Sequence, residues 1–491
     1  MSLPLRIGSD SEFLALRRAL ETAGYTEPAV RERLGLERMG QYRLEGARHL
    51  EAQPDDALGL LIWVLLEGGA ISLDATAKLP LAELRALEVV VPQESDPQRI
   101  SATVMLYPVQ DLYAASDRSR PVDDQPAPPP DDFVYPAIVP NTEQYLGMLS
   151  FTPCEAFLDL CAGTGIAAMV AVRNGAKHAW AYDVTERSTH FAEFNKRLNG
   201  IANMTAAKGD LYEPAGNLTF DRIAAHAPYV PVFRHNMVFD SGGQDGEQIV
   251  RRVIEGLPKY LRPGARFYAP LVGTDRDEPF EMRLRNWLGP AEEEFDIAFF
   301  VNRIFSPSAY VAEAISRNRA GIADAKPWRE LFEQLRVKQI ARGFLIIQRK
   351  AQSRPVFTVR RQVGPRSGPH EQHWVVDWET SVTRGVQSLL AVRLRASRDV
   401  HMRVEHRLTE DGWAPQSYTI DTEYPFVLEI PVQAWTAHLL ALADGSHTAA
   451  ELLDLLKQQG AVHANTPAPE FAQVIAQLIS GGFLELTEPR Q

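Results

Sequence analysis

The sequence has little cysteine and no long apolar run. Only two cysteines, Cys154 and Cys161, occur among 491 residues, and no Cys or His cluster lies beside them, so neither a disulfide framework nor a zinc site is expected. We interpret both as small buried residues. The longest apolar stretch, residues 58–66, falls short of the ~20 residues that span a bilayer and predicts a buried helix. The first residues show no basic region followed by an apolar one, which favours a cytoplasmic protein without a membrane segment.

An excess of positive charge is also absent. The formal net charge is −12, which disfavours nucleic acid and anionic membranes as partners of the whole surface. Residues 329–366 are rich in Arg and Lys, so a local basic patch stays open. The hydrophobic content of 45% and charged content of 23% are those of an ordinary soluble globular protein.

The chain is too long to fold around a single hydrophobic core, so its length predicts several domains. Helical stretches followed by a β pair suggest a winged-helix-like start, with Ser72 or Asp74 capping a helix. A similar pattern near the end has Ser446 or Thr448 as a cap. The first unit shows no basic recognition helix, so we interpret it as a packing or dimerisation module. The last unit resembles the small winged-helix domains of peptide-binding chaperones, which implies recognition of a peptide or protein partner, or self-association. The predicted domains are 1–120 (winged-helix-like), 121–133 (Pro-rich linker), 134–352 (α/β), 353–430 (β-rich) and 431–491 (winged-helix-like).

Strands alternate with helices in the central region, which predicts an α/β fold with a mostly parallel sheet. Ligands of such sheets bind at the carboxyl ends of the strands, so the residues there are the informative ones. In the β-rich region, "HWVVDWETSV" is expected to be a strand that carries Trp374 and Trp378 on one face. The predicted central strands are Ala156–Cys161, Ala179–Asp183, Thr205–Lys208, Phe220–Ala225, Ala265–Val272, Phe295–Val301 and Gly343–Gln348.

The stretch "DLCAGTGIAAMVAV" places Asp159 at the end of the first strand, followed by a turn with Gly163 and Gly165. The glycines allow the backbone to approach a ligand closely, but the turn alone also matches a dinucleotide fingerprint. A pyrophosphate would sit poorly beside Asp159. S-adenosylmethionine has no phosphate and carries a sulfonium and an ammonium group, which an acidic residue complements.

Two further carboxylates follow the next strands. Asp183 ends the second strand, where a carboxylate can accept hydrogen bonds from both ribose hydroxyls. Asp210, in "KGDLYEP", follows the third strand and can accept from an adenine amine, although a turn-forming role is equally open. After the fourth strand, "HAPYVP" holds two prolines around Tyr229, which can stack on a planar acceptor. A rigid backbone there suits an in-line methyl transfer.

This set of motifs resembles the class I S-adenosylmethionine-dependent methyltransferases. The similarity is closest to the group with an Asn-Pro-Pro-Tyr motif: release-factor glutamine methyltransferases, ribosomal-protein and rRNA amino methyltransferases, and actinobacterial relatives with a winged helix. "GDLYEP" and "DSGGQDGEQIVRRVIEGLPKYLRPGARF" are also similar to that group. The resemblance covers residues of about 135 to 350 and implies a Rossmann-like methyltransferase sheet with S-adenosylmethionine as cofactor.

The resemblance also implies roles for particular residues. His226 and Tyr229 would be catalytic, and Arg234, beside the pocket, suggests an anionic group on the substrate. Tyr135, Asn141 and Tyr145 lie where the family closes over the cofactor. The implied cofactor residues are Asp159, Cys161, Gly163, Gly165, Asp183, Asp210, Leu211 and His226, and the implied substrate residues are Tyr145, Tyr229, Arg234 and His235.

The chain departs from the family at two places. Cys161 replaces the first glycine of the usual turn, and His226 replaces the Asn that holds the acceptor nitrogen. An imidazole cannot present the paired oxygen and amine of an amide. His226 is therefore either a general base, since histidine titrates near neutral pH, or a tolerated replacement beside other positioning residues. Lost catalysis with retained ligand binding is a third reading.

The sequence as a whole predicts a cytosolic methyltransferase that acts on an O or N acceptor of a small molecule, peptide or protein. An RNA base methyltransferase is the alternative within the fold, and a nicotinamide dehydrogenase is the alternative outside the chemistry. A cofactor-sensing regulator that binds DNA is the alternative without catalysis. No metal is expected, and a homodimer is left open.

Overall fold

A computed structural model describes residues 3–120, 122, 129–229, 242–243, 245–316 and 321–487. The chain divides into two compact units, residues 1–272 with 320–331, and residues 273–319 with 332–491. None of the described helices is long and apolar enough to cross a membrane. The described residues also hold no cluster of three or more His, Cys, Asp or Glu side chains that would suit a metal ion.

The first unit begins with a helical region that carries a small antiparallel sheet. The π-helical turn Ile62–Leu66 and the buried residues before it form the apolar helix that the sequence predicts. The sheet has the order β1-β3-β2, and a separate hairpin, β4–β5, follows it. Ser72 lies at the N-cap of a 3-10 helix, Leu73–Lys78. The elements are α1 Asp10–Thr22, α2 Glu27–Leu34, α3 Ala57–Leu61, β1 Ile71–Ser72, α4 Leu81–Ala86, β2 Val90–Pro92, β3 Arg99–Ala102, β4 Met105–Val109 and β5 Leu112–Ser116.

A parallel sheet forms the rest of the first unit. Its strand order is β10-β9-β6-β7-β8, and each neighbouring pair is parallel. The chain order reverses on either side of β6, so the carboxyl end of β6 lies at the switch point where such sheets bind ligands. The elements are α5 Pro140–Met148, β6 Cys154–Leu160, α6 Ile166–Arg173, β7 Ala176–Asp183, α7 Glu186–Leu198, β8 Met204–Lys208, β9 Phe220–Ala225, α8 Gln248–Tyr260 and β10 Leu261–Asp275.

The second unit contains a mixed sheet and a helical region with a small sheet. Strands of the mixed sheet have the order β15-β16-β17-β13-β11-β12, and the small sheet has the order β18-β14-β19. The elements are α9 Phe280–Trp287, β11 Phe295–Phe305, α10 Pro307–Ser316, α11 Ala325–Gln334, β12 Gln339–Arg349, β13 Thr358–Val363, α12 Pro369–Val382, β14 Arg393–Ala396, β15 His401–Thr409, β16 Gly412–Thr422, β17 Phe426–Val432, α13 Ala434–Leu442, β18 Asp444–Thr448, α14 Ala449–Gln458, α15 Ala468–Ser480 and β19 Leu484–Thr487. Helix α11 begins among residues of the first unit.

All seven strands predicted for the central region are present. The expected strand at "HWVVDWETSV" is wrong, because these residues form α12. Pro369 and a capping box with Glu371 begin this helix, and Trp374 and Trp378 stack with ring centroids 5.7 Å apart, one turn from each other. Thr448 caps α14 as predicted and forms a capping box with Glu451.

The predicted boundary at residue 352 does not separate two sheets. Strand β13, assigned to a separate β-rich domain by its sequence, pairs in parallel with β11 from residue 297 to 301. Strand β11 also pairs with β12, so the strands on both sides of the predicted boundary share one sheet. The winged-helix assignments of the two terminal regions stay predictions.

Candidate cofactor site

The glycine turn follows β6 and lies at the switch point of the parallel sheet. Gly163 and Gly165 both have positive φ, +51° and +74°, which glycine adopts without strain. A Cβ on Gly165 would lie 2.9 Å from Met204 Cε and 3.0 Å from Ala192 Cβ, so the turn packs tightly there. At Gly163 the nearest atom would be Val134 Cγ1, at 4.0 Å. The turn is therefore closed on its inner side and open in front of Gly163.

Asp183 ends β7 and holds the glycine turn directly. Its Oδ2 accepts a hydrogen bond from the Gly163 backbone N–H at 2.9 Å, and its Oδ1 accepts from the Thr185 N–H at 3.1 Å. Thr185 then caps helix α7 through its own side chain. Each carboxylate oxygen has two lone pairs, so the half-buried Asp183 keeps capacity for two ligand hydroxyls.

Asp159 is buried in β6, with 2% of its surface exposed. One oxygen accepts from the Ala168 N–H at 3.3 Å, and the other accepts from the Tyr145 hydroxyl at 3.4 Å. Burial raises the pKa of this carboxyl well above its ordinary value, and the nearby charge of Asp183 raises it further. Asp159 therefore anchors helix α6 and Tyr145, whereas the sequence predicts only a charge that faces the ligand.

Asp210 follows β8 and is paired with a cation. Its Oδ2 accepts from Arg252 Nη2 at 2.7 Å, and both side chains are about half exposed. The next residue, Leu211, has a positive φ of +52°, which is uncommon for a residue with a side chain. The backbone at this strand end is thus held in a strained conformation, as often happens at functional sites.

Cys161 lies among the three carboxylates. Burial raises the pKa of its thiol, and the charges of Asp183, Asp159 and Asp210, in that order, raise it further. The three aspartates are therefore near enough to Cys161 to affect the pKa of its thiol. Cys161 itself has a φ of +56°, the conformation that suits the glycine of the family turn. Neither Cys161 nor Cys154 is fully buried, contrary to our expectation, and both are free thiols.

Aromatic side chains line the same end of the sheet beyond β9. His226 lies 5.0 Å from the Tyr145 ring and 6.2 Å from the Tyr229 ring between centroids, and its plane is within 13° of that of Tyr229. Burial lowers the pKa of His226 to about 4, so the imidazole is neutral near pH 7. Tyr145 thereby contacts both Asp159 and His226. The predicted substrate residues Arg234 and His235 lie outside the described residues.

The two other predicted lid residues are exposed. Tyr135 is 45% exposed and follows Val134, the residue that faces Gly163. Val134 donates its N–H to Asp117 Oδ2 at 2.8 Å, and Asp117 also forms an ion pair with Arg187 of helix α7. Asn141 lies exposed in the first turn of α5. Of the three, only Tyr145 contacts the predicted site residues in the bonds and ring contacts described above.

Asn195 is a site residue that the sequence reasoning missed. Its amide is fully buried and donates to the Thr164 carbonyl of the glycine turn at 3.0 Å. The same amide accepts from the Ala115 N–H at 2.6 Å and donates to the Ala115 carbonyl at 3.0 Å. Asn199, one helical turn later, forms the same pair with the backbone of Tyr113. The two side-chain amides thus form the hydrogen bonds to the β5 backbone that a neighbouring strand would otherwise form.

Comparison with known proteins shows which family the region around this site is similar to. Residues 144–226 match the family described as ribosomal protein L11 methyltransferase (PrmA). This match includes β6, β7, β8 and β9 and ends at His226. It therefore covers each aspartate of the site and the glycine turn.

Two curated relatives have related names. The chain is 32% identical over 116 residues to the release factor glutamine methyltransferase of Thermodesulfovibrio yellowstonii, which covers 21% of this chain and 42% of the relative. It is 30% identical over 162 residues to the ribosomal protein uL3 glutamine methyltransferase of Bradyrhizobium diazoefficiens, covering 30% of this chain and 50% of the relative. The chain therefore spans about half the length of these relatives or less.

A solved structure of ribosomal protein L11 methylase from Lactobacillus delbrueckii subsp. bulgaricus is similar with 22% identity and a TM-score of 0.26, over 43% of this chain and 80% of that one. The family match and the curated relatives confirm the resemblance that the motifs predict. Over residues 144–226 the chain is therefore similar to the class I methyltransferases, a family whose cofactor is S-adenosylmethionine, in the group that includes the ribosomal-protein and release-factor enzymes.

Proposed function

We propose that this protein transfers a methyl group from S-adenosylmethionine to a nitrogen atom of a protein substrate. The observation that carries the proposal is the glycine turn at the switch point of the sheet, which is open in front of Gly163 and is held by the Asp183 carboxylate. The names of the relatives, which are protein glutamine methyltransferases, support a protein nitrogen as the acceptor.

The described residues fit the cofactor. Asp183 has acceptor capacity for the two ribose hydroxyls beyond its bonds to Gly163 and Thr185. Asp210 and the backbone at Leu211 lie at the next strand end, where an adenine would reach them. Asp159 and Cys161 line the crevice, and a cation placed there favours the ionised form of the Asp159 carboxyl. We assign these residues, with Gly163 and Gly165, to cofactor binding.

When bound, S-adenosylmethionine supplies an electrophilic methyl carbon. The protein has to hold the acceptor nitrogen about 3 Å from that carbon and in line with the bond that breaks. Tyr229 lies four residues beyond the end of β9 and directly after Pro228, whose ring restricts the backbone there. We assign Tyr229 and Tyr145 to substrate contact, together with Arg234 and His235.

His226 orients the acceptor nitrogen and does not act as a general base that removes a proton from it. With a pKa of about 4, the imidazole is a weak base near neutral pH. A neutral imidazole can still donate one hydrogen bond and accept another, which is enough to orient an amide or amine. This environment argues against the general base that the sequence leaves open, and we assign His226 a positioning role that neither of the two sequence interpretations gave it.

Calorimetric titration with S-adenosylhomocysteine tests cofactor binding. Asp183→Ala should abolish measurable binding, because the carboxylate holds both the turn and the ribose. Asp221→Ala is the matched control, since Asp221 bonds to Arg262 and to the backbone of Glu155 and Ala156, at the start of β6. It should leave the affinity unchanged. Wild-type protein that binds no S-adenosylhomocysteine, or equal binding by the two variants, would remove the assignment.

A transfer assay tests the acceptor class. The protein and radiolabelled S-adenosylmethionine would be incubated in separate reactions with ribosomal proteins, release factors, RNA or small metabolites. Label in an acid-stable, protease-sensitive form is expected only with protein. Label that nuclease releases would instead favour the RNA alternative, and transfer of label to none of them would contradict the proposed activity.

A further inference from the structure

The hairpin of β15 and β16 in the second unit has an unusually exposed surface. Leu408 and Trp413 lie directly opposite each other and are 63% and 70% exposed. Met402, further along the same face, is 36% exposed. Side chains of this size rarely point into solvent together in a monomer, and such patches mark interaction sites.

The outer edge of β15 is also unpaired within the described part of the chain. The strand runs from His401 to Thr409 and pairs on one side with β16. Every second residue of such an edge directs its backbone N–H and C=O outward, where another strand can bind. Natural edges are commonly protected by charges that repel a second strand. Whether the charges on β15 do so depends on which residues would face them.

The segment Val404–Leu408 reads Val-Glu-His-Arg-Leu, and this order is complementary to itself in antiparallel pairing. If His406 faces His406 of a second copy, Glu405 faces Arg407 twice on one side of the strands. Val404 then faces Leu408 twice on the other side. Opposite charges and apolar pairs directly across two strands both stabilise the pairing.

The faces of the hairpin agree with this arrangement. Residues directly opposite in the ladder share a face, so Val404 lies with Tyr418, and Leu408 lies with Trp413. A second Val404 placed beside Leu408 would therefore extend an apolar face that already includes Trp413. Glu405 and Arg407 lie on the opposite, polar face, where Glu405 accepts a hydrogen bond from Ser417 Oγ at 2.7 Å.

We propose that β15 pairs antiparallel with β15 of a second copy of this chain, about a twofold axis through His406. The pairing continues the sheet across the two copies and covers part of the apolar face at Leu408. An isologous contact of this kind closes on itself, so it produces a dimer and not a fibre. The proposal does not depend on the methyltransferase activity, because all of its residues belong to the hairpin.

A charge exchange tests the proposal in the full chain. Sedimentation velocity from about 1 to about 100 µM should show a dimer for the wild type. Glu405→Arg and Arg407→Glu should each weaken dimerisation about tenfold or more, because two attractive pairs become repulsive. The double exchange Glu405→Arg with Arg407→Glu should restore it. Lys326→Glu, at a side chain that is 84% exposed, is the control for net charge and should leave the dimer unchanged.

Register is tested by disulfide formation. His406→Cys should give a covalent dimer under mild oxidation, because the two cysteines face each other at the axis. Thr409→Cys, which would face Arg403 of the second copy, should not. A wild type that stays monomeric, a double exchange that fails to restore dimerisation, or equal cross-linking of both cysteine variants would overturn the proposal. Monomeric protein would leave the edge to a partner of another kind.

Discussion

Replacement of Asn195 by alanine should weaken both the fold and cofactor binding. The buried amide makes three hydrogen bonds, two with the backbone of Ala115 and one with the Thr164 carbonyl. At about 1 kcal/mol net for each bond, Asn195→Ala should lower the free energy of unfolding by about 3 kcal/mol. Freeing the Thr164 carbonyl releases the turn that Asp183 holds from the other side. One lost bond of about 1 kcal/mol corresponds to about fivefold weaker cofactor affinity.

Asn199→Ala is the matched control for this prediction. Asn199 makes the same two bonds to β5, through the backbone of Tyr113, and its amide also donates to the Asn195 carbonyl and to Met169 Sδ instead of to the glycine turn. It is partly exposed, so its loss should cost about 2 kcal/mol of stability. Its affinity for S-adenosylhomocysteine should stay within about twofold of the wild type. The contrast separates a local effect on the turn from a general loss of packing.

Urea denaturation and calorimetric titration provide the two measurements. If Asn195→Ala proves too unstable to titrate, Asn195→Asp is the second variant, since it can still accept from the Ala115 N–H but cannot donate to Thr164. Equal affinities of the Asn195 and Asn199 variants would refute the coupling between β5 and the turn. Weaker binding by both variants to the same extent would attribute the effect to stability alone.

Three further predictions concern other residues. The pKa of His226 is lowered to about 4, so only the unfolded state binds a proton there as the pH falls from about 6.5 to about 4. The wild type should therefore lose about 3 kcal/mol more stability over this range than His226→Asn. An equal loss of stability in the two proteins, measured by urea denaturation, would contradict the prediction. Cys161→Gly relieves a positive φ and should raise the free energy of unfolding by up to about 1 kcal/mol; a lower melting temperature would argue against strain at this position. Glu67→Gln removes the charge of the carboxylate that accepts from Arg120 at 2.7 Å. The variant should be about 3 to 5 kcal/mol less stable in urea denaturation, because the Arg120 guanidinium stays buried without an opposite charge. A change under about 1 kcal/mol would mean that water solvates the guanidinium.

The parallel sheet was predictable because its strands are apolar runs that end in informative residues. Several strands end in short buried apolar segments, such as residues 223–225 in β9, and Asp159 and Asp183 mark strand ends by their charge. The rule that ligands bind at carboxyl ends then brings these residues together before any coordinates are known. The same rule pointed to Tyr229 after the fourth strand, whereas Tyr145 was expected only from the family resemblance.

Helix α12 was misread because its composition conflicts with its structure. "HWVVDW" contains β-branched and aromatic residues, which favour strands. The opposing signals were present in Pro369 at the first turn and in Glu371, whose side chain bonds to the backbone of Gly368. Tertiary packing of Trp378, which is buried and donates to the Ala476 carbonyl, then decides for helix.

Asn195 and the burial of Asp159 could not be predicted by strand-end reasoning. Asparagine is a weak helix former, so two of them one turn apart in α7 were a signal of a polar contact. The partner, however, is the backbone of β5, and backbone groups leave no trace in a sequence. The orientation of Asp159 toward Tyr145 depends in the same way on how α5 packs against β6.

The amide pairs between α7 and β5 also determine where the first unit can be cut. A fragment that began at the predicted linker, after residue 120, would keep Asn195 and Asn199 but lose the strand whose backbone they satisfy. The side-chain amides of Asn195 and Asn199 would then lose their backbone partners in β5 and would be exposed to water or would rearrange against the glycine turn. Shortened versions meant for crystallisation or screening should therefore begin no later than residue 105. They then retain the β4–β5 hairpin, which packs against α7 in the unit that we propose binds the cofactor.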